Sequence, residues 1–289
     1  MAKALKALKM MQRVEILLKE GVEVLENISD SPQLDSEIIL AHLLNISRFD
    51  LLLNFKKEVD ATLANEFAEL IKRRADFEPV AYITNEKPFF EDVFYVDKRV
   101  LIPRPETEFL VLKGLELLQN CKEKPKVLDL CCGSGCAGLS ILRVVDCNLT
   151  LSDVSEDALE VAKINGKKLF PQNREIKFIQ SNLFENIKEK YDLIVVNPPY
   201  LSSEDMKKFV VSELEKEPQI AFFGGENGFE LSEKILNSAS NYLKNDRFIA
   251  IELGYEGSKH TKQSYNGLNL QEFIKDYSGI ERVAFFSKR

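Results

Sequence analysis

The sequence predicts an α/β fold in which a small all-helical domain precedes a doubly wound, mostly parallel sheet. Two observations predict it. From Lys126 to Glu252, short apolar segments alternate with segments of helical periodicity, the pattern of a parallel sheet with right-handed crossovers. Before residue 77, the apolar residues follow only a helical period. We therefore expect a helical domain followed by a larger α/β domain.

Three helices are predicted in the first domain, which we expect to span residues 1–76. Apolar residues recur near a 3.6-residue period over 4–26. Ser31-Pro32, a capping residue before a proline, begins the second helix. Asp60 can cap a third helix, whose last turn carries the cations Lys72-Arg73-Arg74 that suit the helix dipole. This domain is either a packing appendage or a substrate-recognition element.

The composition changes from Glu78 onward. Residues 80–84, 89–96 and 100–102 are rich in β-formers and predict short strands or a hairpin in a linker over 77–105. Glu106-Thr107-Glu108 then begins a helix with acidic residues in its first turn, and the domain that follows spans 106–289.

Within that domain, parallel strands are predicted at 126–130, 148–153, 176–180, 192–196 and 248–252, with helices between them, the last of which covers 229–244. Asp192 is followed by four apolar β-formers, which indicates a strand buried on both faces. Two β-rich runs, 270–276 and 281–286, lie on either side of Ser278-Gly279 and predict an antiparallel hairpin at the sheet edge.

Composition excludes several functional classes. A net charge of −7 argues against a broad basic surface for naked DNA or RNA, so no direct nucleic-acid partner is expected. No apolar run reaches the ~18 residues of a membrane span and no secretory signal is visible, so we expect a cytoplasmic protein without a membrane partner. The five cysteines cluster at 121–147, far from both histidines and without metal-ligand spacing. We predict no metal site, and read the cysteines as small buried residues.

Gly133-Ser134-Gly135 predicts a ligand-binding loop. It follows a strand and precedes a helix, and glycine permits close approach of the backbone to a ligand. The loop, which begins at Cys131-Cys132, suits NAD, flavin or S-adenosylmethionine (SAM), and Gly138 keeps the NAD spacing open. Asp129, inside the strand, favours SAM, because SAM enzymes commonly hold an acidic residue there, near the methionine end.

The next two strand ends offer further contacts. The Asp153 carboxylate can accept hydrogen bonds from both ribose hydroxyls. Its alternative role is to cap the following helix, for which Ser155 is better suited. The Asn182 amide can bond an adenine edge while Leu183 packs on its face, although an ordinary loop would have the same sequence.

Asn197-Pro198-Pro199-Tyr200 is the most specific motif. A planar amide nitrogen is a poor nucleophile because its lone pair is delocalised. The Asn197 side-chain oxygen and the Pro198 carbonyl can accept the hydrogen atoms of an NH₂ group, and the paired prolines restrict the backbone. Orientation toward a methyl donor would then supply most of the rate. Tyr200 can pack over the flat substrate group.

With these residues in view, the chain resembles the peptide chain release factor glutamine methyltransferase family over nearly its whole length. The supporting segments are 35–42, 79–83, 100–108, 197–200, 217–218, 224–228 and 252–255. The resemblance implies a helical N-terminal domain that recognises the release factor, a hairpin linker and a seven-stranded SAM-binding domain. It implies methyl transfer from SAM to the side-chain amide nitrogen (N5) of the glutamine in a Gly-Gly-Gln motif, with S-adenosylhomocysteine as product.

By the same resemblance, SAM contacts the loop 131–135, Asp129, Asp153, 182–183, Asn197, Arg104 and Thr107, and residues 197–200 hold the glutamine. Two departures are visible. Cys131-Cys132 replaces the family's Gly-Thr, which costs the first position its freedom in φ, and Asn182 replaces an aspartate. Two other functions stay open: a nucleic-acid amino methyltransferase, which would need a basic groove and base flipping, and a SAM-binding module without activity.

Overall fold

The computed structural model describes residues 11–119, 121–172, 174–208 and 213–288. These residues divide into two compact units. The first comprises the described residues up to Asn85 together with 213–216, and the second comprises the remainder from Glu86 onward. No helix of the described part is long and apolar enough to cross a membrane.

The first unit is built from short helices around one apolar core. Its helices are α1 Val14–Leu25, α2 Pro32–Leu43, α3 Arg48–Leu53, α4 Ala61–Ala75 and α5 Val80–Thr84. Asp60 caps α4 as predicted, since its Oδ1 accepts a hydrogen bond from the Leu63 amide at 2.9 Å. Arg74 on α4 donates from Nε to Asp35 Oδ2 on α2 at 2.7 Å, and the two side chains form a buried ion pair.

Two expectations for this unit are wrong. The helices are joined by one short pair of strands, β1 (Gln12–Arg13) with β2 (Glu58–Val59), so the unit is not all-helical. The first helix, α1, begins at Val14 and not at residue 4. The earlier part of the predicted helix, 4–10, lies outside the described residues. Residues 80–84 form helix α5 instead of a strand: Tyr82 and Ile83 are buried, and α5 packs on α2 and α4. Packing overrides the β-forming composition of this segment.

The second unit opens with an antiparallel hairpin of β3 (Glu86–Phe89) and β4 (Asp92–Tyr95), inside the predicted linker range. Helix α6 (Thr107–Leu118) follows. The remaining helices of this unit are α7 Cys136–Val144, α8 Glu156–Leu169, α9 Ser203–Lys208, α10 Glu230–Ala239 and α11 Gly257–His260.

The sheet confirms the predicted α/β class. Its strands are β5 Lys126–Leu130, β6 Asn148–Asp153, β7 Ile176–Gln180, β8 Tyr191–Val196, β9 Leu243–Glu252, β10 Ser264–Tyr265, β11 Leu268–Lys275 and β12 Glu281–Lys288. They lie in the order β10-β11-β12-β9-β8-β5-β6-β7, with parallel pairing from β9 to β7 and antiparallel pairing elsewhere. All six residues of β8 are buried, and its last four, Leu193 to Val196, alternate between apolar clusters on the two sheet faces.

Three details differ from expectation. The described sheet has eight strands, not seven, because the short edge strand β10 adds to it. In the β11–β12 hairpin, β12 lies inside the sheet and pairs with β9. The helix expected over 229–244 ends at Ala239, since Leu243 already pairs with Tyr191 as the start of β9.

Candidate active site

The carboxyl ends of β5, β6, β7 and β8 open into one cavity of about 280 Å³. Parallel strands bring their carboxyl ends to one sheet edge, where ligands of such folds bind. Most of the residues predicted to form the site line this cavity: Arg104, Thr107, Asp129, Cys131, Cys132, Gly133, Ser134, Asp153, Asn182, Leu183, Asn197 and Pro199. Gly135, Pro198 and Tyr200 do not.

The glycine loop and the helix that follows it are held by hydrogen bonds from their backbone amides to two aspartate side chains, on β6 and β5. The Gly133 amide donates to Asp153 Oδ2 at 2.9 Å, and the Gly138 amide donates to Asp129 Oδ2 at 2.8 Å. Gly135 adopts a left-handed conformation, φ +78°, which glycine tolerates. A Cβ at Gly138 would lie 2.7 Å from Leu151, so only glycine lets α7 approach β6 this closely.

Two carboxylates, the buried Asp129 and the half-buried Asp153, give the cavity its electrostatic character. Burial, assisted by the charge of Asp153, raises the pKa of Asp129 to about 7, although the Gly138 amide opposes the shift. Burial also raises the pKa of Asp153, against the amides of Ser155 and Gly133. Because their charges repel, the pair favours a cationic ligand between them.

Asp153 and Ser155 divide the two roles considered for them. Ser155 caps α8, since its Oγ accepts from the Ala158 amide at 3.2 Å. Asp153 Oδ1 accepts from the Ser155 amide at 2.9 Å and Oδ2 from Gly133. The carboxylate therefore stays on the cavity wall instead of serving as the helix cap.

The departures from the family pattern have structural consequences. Cys131 adopts φ +58°, a left-handed conformation that costs a cysteine about 1–2 kcal/mol. Leu183 on the opposite wall is also left-handed, at φ +50°. Asn182 Nδ2 donates to Glu185 Oε1 at 2.8 Å, which holds the amide at the cavity rim.

All five cysteines are free thiols, but only Cys132 and Cys147 are buried. The expectation that all five are buried is wrong for Cys121, Cys131 and Cys136, which are partly exposed. Burial raises the pKa values of Cys131, Cys132 and Cys136, so these three cavity residues are protonated and weakly nucleophilic. Among the described residues, no group of three His, Cys, Asp or Glu side chains is arranged to hold a metal ion.

At the β8 end, the site continues into a chain of polar side chains. Asn197 Nδ2 donates to Thr107 Oγ1 at 3.1 Å. Burial raises the pKa of Glu252, the last residue of β9, to about 7, and the nearby Thr107 side chain opposes this shift. Tyr200 donates its hydroxyl proton to Glu252 Oε1 at 3.4 Å, and its ring lines a second cavity of about 540 Å³. Its packing over a substrate stays a prediction.

Two functional features had not been assigned from sequence. Arg104 forms an ion pair with the buried Glu217, whose Oε2 accepts from the Ile102 amide at 2.9 Å. Glu252 lies behind Thr107, outside the cavity wall. Both glutamates fall in segments noted only for the family resemblance. The apolar run 248–251 before Glu252 was an available signal, whereas the polar segment around Glu217 offered none.

Two protein families match the chain. The family described as "PrmC N-terminal domain" matches residues 17–84, and the one described as "Methyltransferase small domain" matches residues 110–226. The first match falls in the helical region and the second includes the cavity residues from Asp129 to Asn197.

Curated relatives agree with these matches. A "Release factor glutamine methyltransferase" of Leptospira interrogans is 43% identical over 72% of this chain and 74% of the relative. Another of that name, from Clostridium acetobutylicum, is 34% identical over 94% of this chain and 97% of the relative. A "Bifunctional methyltransferase" of Rickettsia conorii is 32% identical over 95% of the chain, which spans only 57% of that protein.

Proposed function

The chain belongs to the release factor glutamine methyltransferase family, and we propose that it transfers the methyl group of SAM to N5 of the glutamine in the Gly-Gly-Gln motif of peptide chain release factors. The observation that carries the proposal is the position of Asn197, on the wall of the same cavity as Asp129 and Asp153. The proposed amide-binding group and the candidate cofactor site therefore line the same cavity.

The donor half of the cavity fits SAM. SAM supplies an electrophilic methyl group on a positively charged sulfonium, and it also carries an ammonium group. The buried Asp129 and the half-buried Asp153 are carboxylates with raised pKa values, which a cationic ligand would lower. In the proposed arrangement Asp153 accepts from the ribose hydroxyls, and the loop 131–135 approaches through its backbone. Asn182 and Leu183 contact the adenine.

The acceptor half suits a primary amide. Because Asn197 Nδ2 is engaged by Thr107, its Oδ1 is left to accept one hydrogen of the substrate NH₂. The Pro198 carbonyl accepts the other hydrogen. Held by both, the nitrogen presents its lone pair toward the donor, and the surplus proton leaves to water after transfer. No histidine or cysteine base is needed.

The helical unit is proposed to recognise the release factor, within a division into 1–76, a linker over 77–105 and a catalytic domain over 106–289. On α3, Phe49 and Leu53 lie one turn apart and are each 69% exposed. Large apolar side chains grouped on a surface are typical of protein contacts. The match of residues 17–84 to the N-terminal family supports this role.

The proposal is tested by methyl transfer from isotopically labelled SAM. The purified protein is incubated with a release factor, with the same factor carrying Gly-Gly-Glu in place of Gly-Gly-Gln, or with RNA. We expect the label on the glutamine of the first protein only, located by peptide mass spectrometry. Label on RNA alone would support the nucleic-acid alternative, and no label on any acceptor would support a binding module.

A further inference from the structure

Asn165 on α8 is a fully buried polar side chain that lies outside the cavity wall. Its Oδ1 accepts a hydrogen bond from the Tyr95 amide at 2.7 Å. Its Nδ2 donates to the Tyr95 carbonyl and to the Ser134 carbonyl, each at 3.0 Å. An aliphatic side chain of the same size would leave these three backbone groups without this partner, so the site is specific for an amide.

The two bonds with Tyr95 take the place of a neighbouring strand. Tyr95 is the last residue of β4, and β3 pairs with only one edge of that strand. On the other edge, the Asn165 amide bonds both the N–H and the C=O of Tyr95, as the peptide groups of a paired strand would. Asn165 therefore fixes the end of the hairpin against α8.

From Tyr95 the chain continues directly into one wall of the cavity. The Tyr95 hydroxyl donates to Asp97 Oδ2 at 3.0 Å, and Asp97 Oδ1 accepts from the amide of Arg99 at 3.0 Å and from its Nε at 2.9 Å. Arg99 begins the segment 99–104, five of whose residues line the cavity. These hydrogen bonds place the wall relative to Tyr95, and hence relative to Asn165.

The third bond reaches the glycine loop, which forms another wall of the same cavity. Ser134 is the middle residue of that loop and is itself buried. Because a peptide group is planar, a fixed Ser134 carbonyl also fixes the direction of the Gly135 N–H, which donates to the Cys132 carbonyl at 2.7 Å. Asn165 thus holds the loop at Ser134, in addition to the bond that the loop makes with Asp153.

We propose that Asn165 is a positioning residue for the cofactor, whose amide holds the glycine loop and the wall that follows Tyr95 at the separation that fits SAM. This rests on the proposed function, in which SAM is the ligand of the cavity. Because Asn165 lies outside the cavity wall, it touches neither SAM nor the acceptor amide. It acts by removing conformational freedom of the two walls that SAM binding would otherwise have to remove.

The first test is Asn165→Asp, which keeps the size of the side chain. Burial raises the pKa of a carboxyl group, so at about pH 6 this one is neutral and carries a single O–H. It can keep both bonds with Tyr95 but loses the bond to Ser134. We expect the Kd for SAM, measured by calorimetry, to rise about tenfold, the effect of one lost hydrogen bond on a preorganised loop. At saturating SAM, kcat should stay within about twofold of the wild type.

Asp92→Asn is the matched control on the same hairpin. Asp92 Oδ2 accepts from Arg143 Nε at 2.8 Å, a bond that ties the hairpin to α7 instead of the glycine loop. The substitution weakens an ion pair and should lower the unfolding free energy, yet the Kd for SAM should stay within about twofold. Equal weakening of SAM binding in the two variants would overturn the proposal, as would an unchanged Kd in Asn165→Asp.

A measurement on the wild type keeps the inference testable even where Asn165→Asp does not fold. By linkage, a bond that favours SAM binding is itself favoured by bound SAM. Saturating SAM should therefore slow hydrogen exchange of the Asn165 side-chain NH₂ about tenfold. The Lys126 amide, bonded to Asp192 at the opposite end of the sheet, is the reference and should change less than about twofold. Equal slowing at both positions, or none at Asn165, would overturn the proposal.

The outcomes also separate this inference from the proposed function. A wild-type protein that binds SAM and shows the expected exchange at Asn165, but methylates no release factor, refutes the proposed function alone. A wild type that methylates release factors, while Asn165→Asp binds SAM equally tightly, refutes the role of Asn165 alone.

Discussion

The two halves of the cavity hold their carboxylates by different means. At the ends of β5 and β6, Asp129 and Asp153 are held by backbone amides of Gly138, Gly133 and Ser155. At the ends of β8 and β9, Asn197 contacts the side-chain hydroxyl of Thr107, and Glu252 contacts that of Tyr200. The first arrangement belongs to the backbone of the loop, and the second depends on the identity of individual side chains.

This difference predicts different sensitivities. Backbone N–H groups are present whatever the side chain, so a substitution in the donor half should leave part of the cofactor contact in place. A chain of side-chain hydrogen bonds loses its function when one link is removed. We therefore expect a single substitution in the donor half to weaken SAM affinity only in part. A single substitution in the acceptor half should remove most of the methyl transfer.

The largest effect is expected for Asn197→Ala, which removes the amide-orienting acceptor from the β8 end. The catalytic rate should fall about 10²–10³-fold, the loss typical of one preorganised hydrogen-bonding group. SAM affinity, measured by calorimetry, should change little because the donor half is intact. If Asn197→Ala lost both the catalytic rate and the SAM affinity, the donor and acceptor halves would not be independent.

Much of the donor half could be predicted from sequence. The strands 126–130, 148–153 and 176–180 are those observed, because each is a short segment of β-formers between clear helical patterns. The polar residues that follow such strands necessarily meet at one sheet edge. Asp129 and Asp153 therefore reach the same cavity without any knowledge of strand order.

The acceptor half could be predicted only in part. Asn197 follows a strand, but its contact with Thr107 requires α6 to begin beside the end of β8, and the contact of Tyr200 with Glu252 requires β9 to lie beside β8. No local pattern encodes either. The same holds for Arg104 and Glu217, whose side chains pair across 113 residues. Short elements such as α5 also escape prediction because packing, not propensity, decides them.

A smaller effect, on SAM affinity, is expected when Asp153 in the donor half is replaced. Asp153→Ala removes the acceptor of the Gly133 and Ser155 amides and the proposed ribose contact. SAM affinity should weaken about 10–100-fold, roughly the net contribution of one hydrogen bond to a charged group. Asp153→Asn, which keeps one acceptor oxygen, should lose less. At saturating SAM, kcat should stay near that of the wild type, and unchanged affinity in Asp153→Ala would remove the ribose assignment.

Gly138→Ala tests how tightly the donor half is packed. The added Cβ would lie 2.7 Å from Leu151 and 2.9 Å from Asp129, so we expect a loss of about 1–3 kcal/mol in unfolding free energy. Gly166→Ala on α8 is the matched control. Its Cβ would meet Ile176 and Phe178 at an ordinary 3.4 Å, and alanine in a helix gains up to about 1 kcal/mol. Urea unfolding should therefore show opposite signs, and equal effects would mean that α7 is free to move away from β6.

The last effect concerns stability at the acceptor half. The folded-state pKa of Glu252 is about 7, above its ordinary value of 4.5, so between these values the folded protein binds the extra proton. The contribution of Glu252 to stability is then greatest below pH 4.5 and falls as the pH rises through 7. Glu252→Gln should be more stable than the wild type by about 3 kcal/mol at pH 8 and by less than about 1 kcal/mol at pH 5. Glu256→Gln, at an exposed carboxylate paired with Lys259, should show no such gain. A variant that unfolds more easily yet transfers methyl groups more slowly would make Glu252 a structural residue, whereas one that is more stable and slower would mean that the site keeps a buried charge at the expense of the fold.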